Sequence, residues 1–230
     1  MMEKVAVSWS GGKDGALALH SAIASGLKPQ VLLCMVDERG YSRSNGISTQ
    51  ILQQQALALN LPLVLKQSSW SSYEFNLIEA LTEIKHAYNV TQCVFGDIDI
   101  VTHRQFEESI CQQSGLSACL PLWDKSRLDV KNEIIRLGIK SKLSVVSRQY
   151  SLNELLGAEY GELDFANLEQ IGVDICGENG EFHTLVYDAP LFRQPLNIIA
   201  GEVYDLGHVL LCDFKIIFER NLVDVKTSVN

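Results

Sequence analysis

Apolar positions follow two different periods along the first half of the chain. Short apolar runs at 5–8, 31–36, 63–66 and 93–95 have the length of buried strands. Between them, apolar residues recur at helical spacing over 16–25, 48–60, 73–88 and 103–114. Strands separated by helices predict right-handed βαβ crossovers, and hence an α/β fold with a parallel sheet covered by helices on both faces. Ser8, Val36-Asp37 and Gly96-Asp97 then end their strands along one carboxyl edge, where open α/β sheets bind ligands. After Pro121-Leu122-Trp123 the pattern changes. It predicts a helix over 129–137, a strand over 143–146 and a looser stretch over 150–174. Two strands, 197–204 and 208–220, follow around a turn at Gly207. The break falls within 120–128, dividing a first domain, 1–124, from a smaller α/β domain, 125–230.

The first strand gives way to Ser8-Trp9-Ser10-Gly11-Gly12-Lys13-Asp14-Gly15, and a helical pattern resumes at Ala16. A strand that breaks into small residues and restarts as a helix builds an anion pocket. Glycines let the backbone approach a phosphate, and the free N–H groups of the new helix point at it. A Walker A loop is ruled out, because Val7 stands where its first glycine belongs and Asp14 where its hydroxyl belongs. The segment therefore reads as a nucleotide-phosphate loop of another kind. The polar stretch 37–49, rich in Gly, Ser and Asn, reads as a mobile loop beside the same edge, suited to act as a lid.

A net charge of -9 argues against loose, charge-driven binding to nucleic acid or to an anionic membrane. No apolar run approaches the ~20 residues of a membrane span. Met1-Met2-Glu3-Lys4 carries no secretory signal pattern, so the expectation is a cytoplasmic protein. Six cysteines lie scattered without a C-x-x-C pair, which fits neither a zinc site nor a disulfide framework. They read as buried, inert thiols, which weakens a sulfur-transfer role. His20, His86 and His208 lack partners at ligand spacing and read as structural. Trp9, Trp70 and Trp123 read as core or interface rings, with Trp9 near the nucleotide.

A second polar constellation, Cys176-Gly177-Glu178-Asn179-Gly180-Glu181-Phe182-His183-Thr184, lies far from the first. Asn179-Gly180 favours a tight turn that exposes its neighbours. By composition alone this is a hairpin of solvated charges. Two carboxylates three residues apart beside an imidazole can also hold Mg²⁺, bind ammonium or act as a general base.

The loop Ser10-Gly11-Gly12-Lys13-Asp14 resembles the PP-loop (SGGKDS) of the ATP pyrophosphatase superfamily, with Gly15 replacing the final hydroxyl. That change removes a donor to phosphate and weakens the first helical turn. Gly96-Asp97-Ile98, Pro121-Leu122-Trp123, the segment 177–184 and Asp188-Ala189-Pro190-Leu191-Phe192 follow in order. Together these resemble the diphthine–ammonia ligase family over nearly the whole chain. The resemblance implies a Rossmann-like (HUP) nucleotide domain and a smaller domain that closes over the substrate. It also implies ATP and Mg²⁺, a carboxylate activated as an acyl-adenylate and attacked by ammonia, and release of AMP and pyrophosphate.

Under that resemblance, Ser8, Ser10, Gly11, Gly12, Lys13, Asp14 and Gly15 hold the nucleotide phosphates, with Val36, Gly96 and Asp97 around them. Lys13 contacts phosphate or stays exposed on the loop. Asp14 holds Mg²⁺ or caps the helix. Glu178 or Glu181 recruits ammonium and takes its proton, and His183 does the same or makes a structural hydrogen bond. Arg104, Asn179, Gly180 and Thr184 fall on the substrate side. Family forms acting on diphthine carry Asp-Tyr-Gln where this chain reads Ile100-Val101-Thr102-His103-Arg104. The acid is therefore diphthine on elongation factor 2 or a different carboxylate. Two competing readings stay open: the same adenylation chemistry on another acceptor such as a tRNA base, and a non-catalytic nucleotide sensor. Assembly as a homodimer is the default expectation.

Overall fold

The computed structural model describes residues 2–217. Its first half runs β1 (Lys4–Ser8), α1 (Lys13–Ala24), β2 (Lys28–Val36), α2 (Thr49–Leu59), β3 (Leu63–Gln67), α3 (Tyr73–Tyr88), β4 (Gln92–Val94), α4 (Val101–Ser114) and β5 (Ser117–Cys119). These strands form one parallel sheet in the order β3-β2-β1-β4-β5. Central β1 is buried on both faces, so its apolar run is continuous. Val5 and Val7 pack with Leu17, Leu19 and Leu52 of α1 and α2. Ala6 packs on the other side with Leu33, Leu77, Leu81 and Ile110, beneath α3 and α4. The doubly covered parallel sheet expected from periodicity is present. Strand β5 is additional to it: Ser117-Ala118-Cys119 has no apolar run to mark it.

The second half contributes α5 (Arg127–Leu137), β6 (Lys140–Ser147), α6 (Phe165–Gln170), β7 (Phe182–Asp188), β8 (Ile198–Ile199), β9 (Val203–Asp205), β10 (Val209–Cys212) and β11 (Lys215–Ile216). Strands β7-β6-β10-β9 make an antiparallel sheet, and β8 pairs with β11. Each of the two expected terminal strands is divided in two, and the end expected at Arg220 lies outside the described residues. Gly207, at φ +87°, makes the expected turn. Phe182–Asp188, expected only as the tail of a polar turn, continues as a full strand.

Strand β7 ties the halves together. Val186 N donates to the Gly11 carbonyl at 2.9 Å. One hydrophobic core runs without interruption from Val5 through Leu143 and Phe182 to Phe214. The segment 37–49 is packed into this junction, contrary to the mobile lid its composition suggested. Ser42, Asn45 and Ile47 are buried. Asn45 Nδ2 donates to the Thr184 carbonyl, and Ser144 Oγ donates to that of Asn45. Gly46, at φ +64°, lies so close to β10 that a Cβ would come within 2.4 Å of Leu211 Cδ1. Its polar side chains serve the junction. No helix among the described residues is long and apolar enough to cross a membrane.

Candidate active site

A cavity of 430 Å³ opens at the carboxyl edge of the parallel sheet. Its first wall is the β1–α1 loop, with Ser8, Ser10, Gly12, Lys13, Asp14 and Gly15. Helix α1 begins at Lys13, three residues earlier than its apolar pattern, with Gly12 as N-cap and no side chain capping it. Asp14 therefore does not cap the helix; it stands in its first turn. Gly96, at the end of β4, is required by close approach, since a Cβ there would fall 2.9 Å from the backbone of Asp14 and Gly15. Gly15 has no such constraint, its nearest neighbour being the Ser8 carbonyl at 3.8 Å.

The opposite wall comes from the second half. Gly177, Glu178, His183 and Thr184 border the cavity, so the two polar constellations share it although more than 160 residues separate them in sequence. Thr184 Oγ1 accepts from Lys13 N at 3.1 Å, fixing the first turn of α1 against β7. Lys13 is not exposed on the loop. Only 2 % accessible, its Nζ donates to Asp14 Oδ2 at 2.8 Å and to the Cys176 carbonyl at 2.5 Å. The ring centroids of Tyr160 and Phe182 lie 5.2 and 5.6 Å from it. Burial pulls the Lys13 pKa down, but Asp14 and the other negative groups outweigh it and hold the ammonium above its ordinary value.

Asp14 is pushed up by burial, against the attraction of Lys13. Its Oδ1 is buried without a hydrogen-bond partner. Burial also raises Glu178, to about 8, with the Asp14 charge as the next contribution. His183 is driven down to about 4 by burial and then by Lys13, so its imidazole is neutral at physiological pH. Among the described residues no three His, Cys, Asp or Glu side chains gather as a metal cluster. The free Asp14 oxygen suits Mg²⁺ held mainly by phosphate oxygens and water, the usual mode of that ion.

Several expected site residues stand elsewhere. Glu181 is 1 % accessible and does not border the cavity. It accepts from Asp174 N at 3.1 Å, Asn179 N at 2.9 Å and Asn179 Nδ2 at 3.1 Å. A carboxylate sealed by the amides of its own turn cannot recruit ammonium; its role is to build the turn. Asn179 and Gly180 are exposed at the tip, away from the cavity. Arg104 pairs with Glu108 at 2.7 Å and lies 5.0 Å over the Trp123 ring, also outside the cavity. The Val36 carbonyl is taken by Ser68 N at 3.0 Å. Gly11, at φ +87°, lies beneath the loop with its carbonyl already bonded. Trp9 is buried under the loop, whereas Trp70 is 70 % accessible at the cavity's rim. Asp97 does border the cavity, beside His103 Nδ1 at 2.8 Å.

Two buried polar residues around the site escape sequence reasoning. Gln55, fully buried on α2, donates to the carbonyls of Gly11 at 3.0 Å and Val186 at 2.7 Å, and accepts from Trp9 Nε1. Its one signal is a polar residue on the apolar face shared by Ile51, Leu52 and Ala56. Glu107, on α4, borders the cavity and is almost wholly buried.

The five-stranded order β3-β2-β1-β4-β5, with a paired-glycine loop feeding the N-terminus of α1, is a Rossmann-like sheet of the HUP class carrying a PP-loop. Family models agree and go further. That of the diphthamide synthase N-terminal domain matches residues 3–118, and that of the C-terminal domain matches 126–216. The chain belongs to the diphthamide synthase family. It is 25% identical over 224 residues to diphthine–ammonia ligase of Rattus norvegicus, covering 86% of this chain and 84% of that protein. The human diphthine–ammonia ligase is 24% identical over 225 residues, covering 87% and 84%. A solved structure from Methanocaldococcus jannaschii, described as a predicted subunit of tRNA methyltransferase, aligns over 82% of this chain and 98% of that chain. Its TM-score is 0.42 at 13% identity.

Proposed function

We propose that this protein is an ATP-dependent ligase that converts a carboxylic acid to its amide through an acyl-adenylate, releasing AMP and pyrophosphate. The observation that carries the reading is that Glu178 and His183 face the phosphate loop across one cavity that Asp14 also lines, its Oδ1 buried without a hydrogen-bond partner. In this reading residues 1–124 bind ATP, and 125–230 supply the wall where the acid and ammonia meet.

A carboxylate resists nucleophiles because its charge is delocalised over a poor leaving group. Attack of its oxygen on the α-phosphorus breaks the bond to pyrophosphate and forms the mixed anhydride. Ammonia then attacks the acyl carbon, and AMP departs with the bonding pair. The backbone N–H groups of Gly12, Asp14 and Gly15 and the Lys13 ammonium receive phosphate charge at the helix N-terminus. Asp14 would hold Mg²⁺, which would supply countercharge for the pyrophosphate oxygens. Glu178, whose pKa is raised to about 8, lies close enough to neutrality for its ionised fraction to take a proton from ammonium. Neutral His183 offers an acceptor beside it.

The acid in this reading is diphthine, the substrate in the relatives' names, carried on elongation factor 2, or another carboxylate. Purified protein given ATP, Mg²⁺, ammonium and a panel of acids, diphthine-bearing elongation factor 2 included, tests this. AMP and pyrophosphate should form in step with amide, and only with ammonium present. Formation of ADP, or turnover indifferent to ammonium, overturns the reading.

A further inference from the structure

We infer that Arg127 is a positioning residue for Glu178. Through Asp174 its guanidinium fixes the turn that presents Glu178 to the phosphate loop, and through Asp99 it ties that turn to the segment after β4. The inference rests on the ligase reading above, in which Glu178 takes a proton from ammonium, and adds the device that holds Glu178 in place.

One carboxylate organises the turn. Asp174 accepts from Cys176 N at 3.1 Å through Oδ1 and from Glu178 N at 2.8 Å through Oδ2. Its own carbonyl accepts from Gly177 N at 3.0 Å. The main chain held in this way serves both walls of the cavity. The Cys176 carbonyl accepts from Lys13 Nζ, and two residues further on the Glu178 side chain lines the cavity. A displacement of Asp174 is therefore passed to Glu178.

Arg127, the first residue of α5, fixes Asp174 in turn. Its Nη1 donates to Asp174 Oδ2, on a side chain that is 6 % accessible. Its Nε and Nη2 donate to the two oxygens of Asp99 at 2.9 and 2.8 Å. The Arg127 carbonyl also accepts from Cys176 Sγ at 3.3 Å, so this residue grips the turn at two points. Asp99 stands two residues beyond Asp97, which borders the cavity from the first half of the chain. Arg127, Asp99 and Asp174 do not themselves line the cavity, so they act through Glu178 and not on a substrate. The planar guanidinium suits this place because its donors leave in fixed directions and serve two carboxylates at once, whereas an ammonium is a point charge. Without Arg127, the buried Asp174 carboxylate keeps its charge and loses its counter-ion. The turn then shifts toward water, and Glu178 moves with it.

The test uses a second nucleophile. At neutral pH ammonium must lose a proton before it attacks, whereas hydroxylamine is already unprotonated and forms a hydroxamate at the same acyl carbon. Turnover with each is measured on diphthine-bearing elongation factor 2, or on the panel acid that the wild-type protein amidates. Arg127→Gln should lose about 100-fold with ammonium, the cost of misplacing a catalytic group by an ångström. With hydroxylamine it should stay within about 3-fold of wild type, and its KM for ATP should be unchanged. Arg127→Lys, which keeps the charge but not the fork, should remain at least about 10-fold below wild type with ammonium. Glu178→Gln should show the same selective loss. Because both nucleophiles are compared in one preparation, a general loss of stability does not mimic the result. Equal losses with the two nucleophiles in Arg127→Gln or Glu178→Gln, or wild-type ammonium turnover in either Arg127 variant, overturn the assignment and leave the ligase reading standing. A wild-type protein that forms neither amide nor hydroxamate overturns both.

Discussion

The ammonium of Lys13 donates to the main-chain carbonyl of Cys176, 163 positions further along the chain. The lysine of the phosphate loop is thus also a strut between the halves of the molecule, enclosed by Tyr160 and Phe182. Replacing it with a shape-mimic that lacks charge strands the Asp14 carboxylate and the Cys176 carbonyl together. Lys13→Met should lower unfolding free energy by about 3 kcal/mol, the usual cost of breaking a buried pair. Urea denaturation checks this; a variant as stable as wild type would show that the contact carries no structural weight.

Glu181 should behave as a folding residue. Its removal leaves two backbone amides and the Asn179 side chain without an acceptor. Glu181→Ala is expected to cost about 2–4 kcal/mol, while Glu178→Gln should leave the melting temperature unchanged or higher and abolish amide formation. Thermal melts alongside product assays separate the two acids. Equal stability losses would erase the distinction.

At Gly15 the backbone leaves room for a side chain. Gly15→Ser should stabilise α1 by roughly 0.5 kcal/mol and supply a hydroxyl at the cavity wall. ATP affinity should rise about 3-fold or more, consistent with one added hydrogen bond. Calorimetric titration gives the answer, and weaker binding would mean that the hydroxyl obstructs the phosphates.

Glu107 makes stability depend on pH. From its ordinary 4.5 to about 11, the folded protein retains a proton that the unfolded chain has released. Stability contributed at this site therefore falls as pH rises through that window. Glu107→Gln removes the dependence and should be more stable than wild type at pH 8 by roughly 1–3 kcal/mol. Parallel denaturation curves at pH 5 and pH 8 would reveal the difference; identical slopes would refute it.

The parallel sheet was legible because β1 to β4 are apolar runs bounded by turn residues, and α1 to α4 carry a helical period. Strand β5 was not, since Ser117-Ala118-Cys119 is an ordinary sequence made into a strand by its neighbour β4. Composition misled where polar groups are paired at long range. Ser42 and Asn45 look like loop residues, and Asn45 finds its partner in Thr184. Glu181 reads as a solvated charge until the amides above it are seen. Gln55 and Glu107 each occupy one polar position on a helix, and only the packing of that helix shows what either faces. The juxtaposition of the two polar constellations was legible solely through family resemblance; no periodicity connects residue 13 with residue 184.

The uninterrupted core from Val5 to Phe214 bears on how the chain acquires its catalytic competence. Gly11 and Lys13 depend for their hydrogen bonds on Val186 and Thr184, which the ribosome delivers long after the first sheet has emerged. During synthesis, then, Gln55 braces the glycine loop from one side only, until β7 arrives on the other. A fragment halted near residue 124 would emerge with the underside of α1 bare and sticky, and would grip nucleotide poorly.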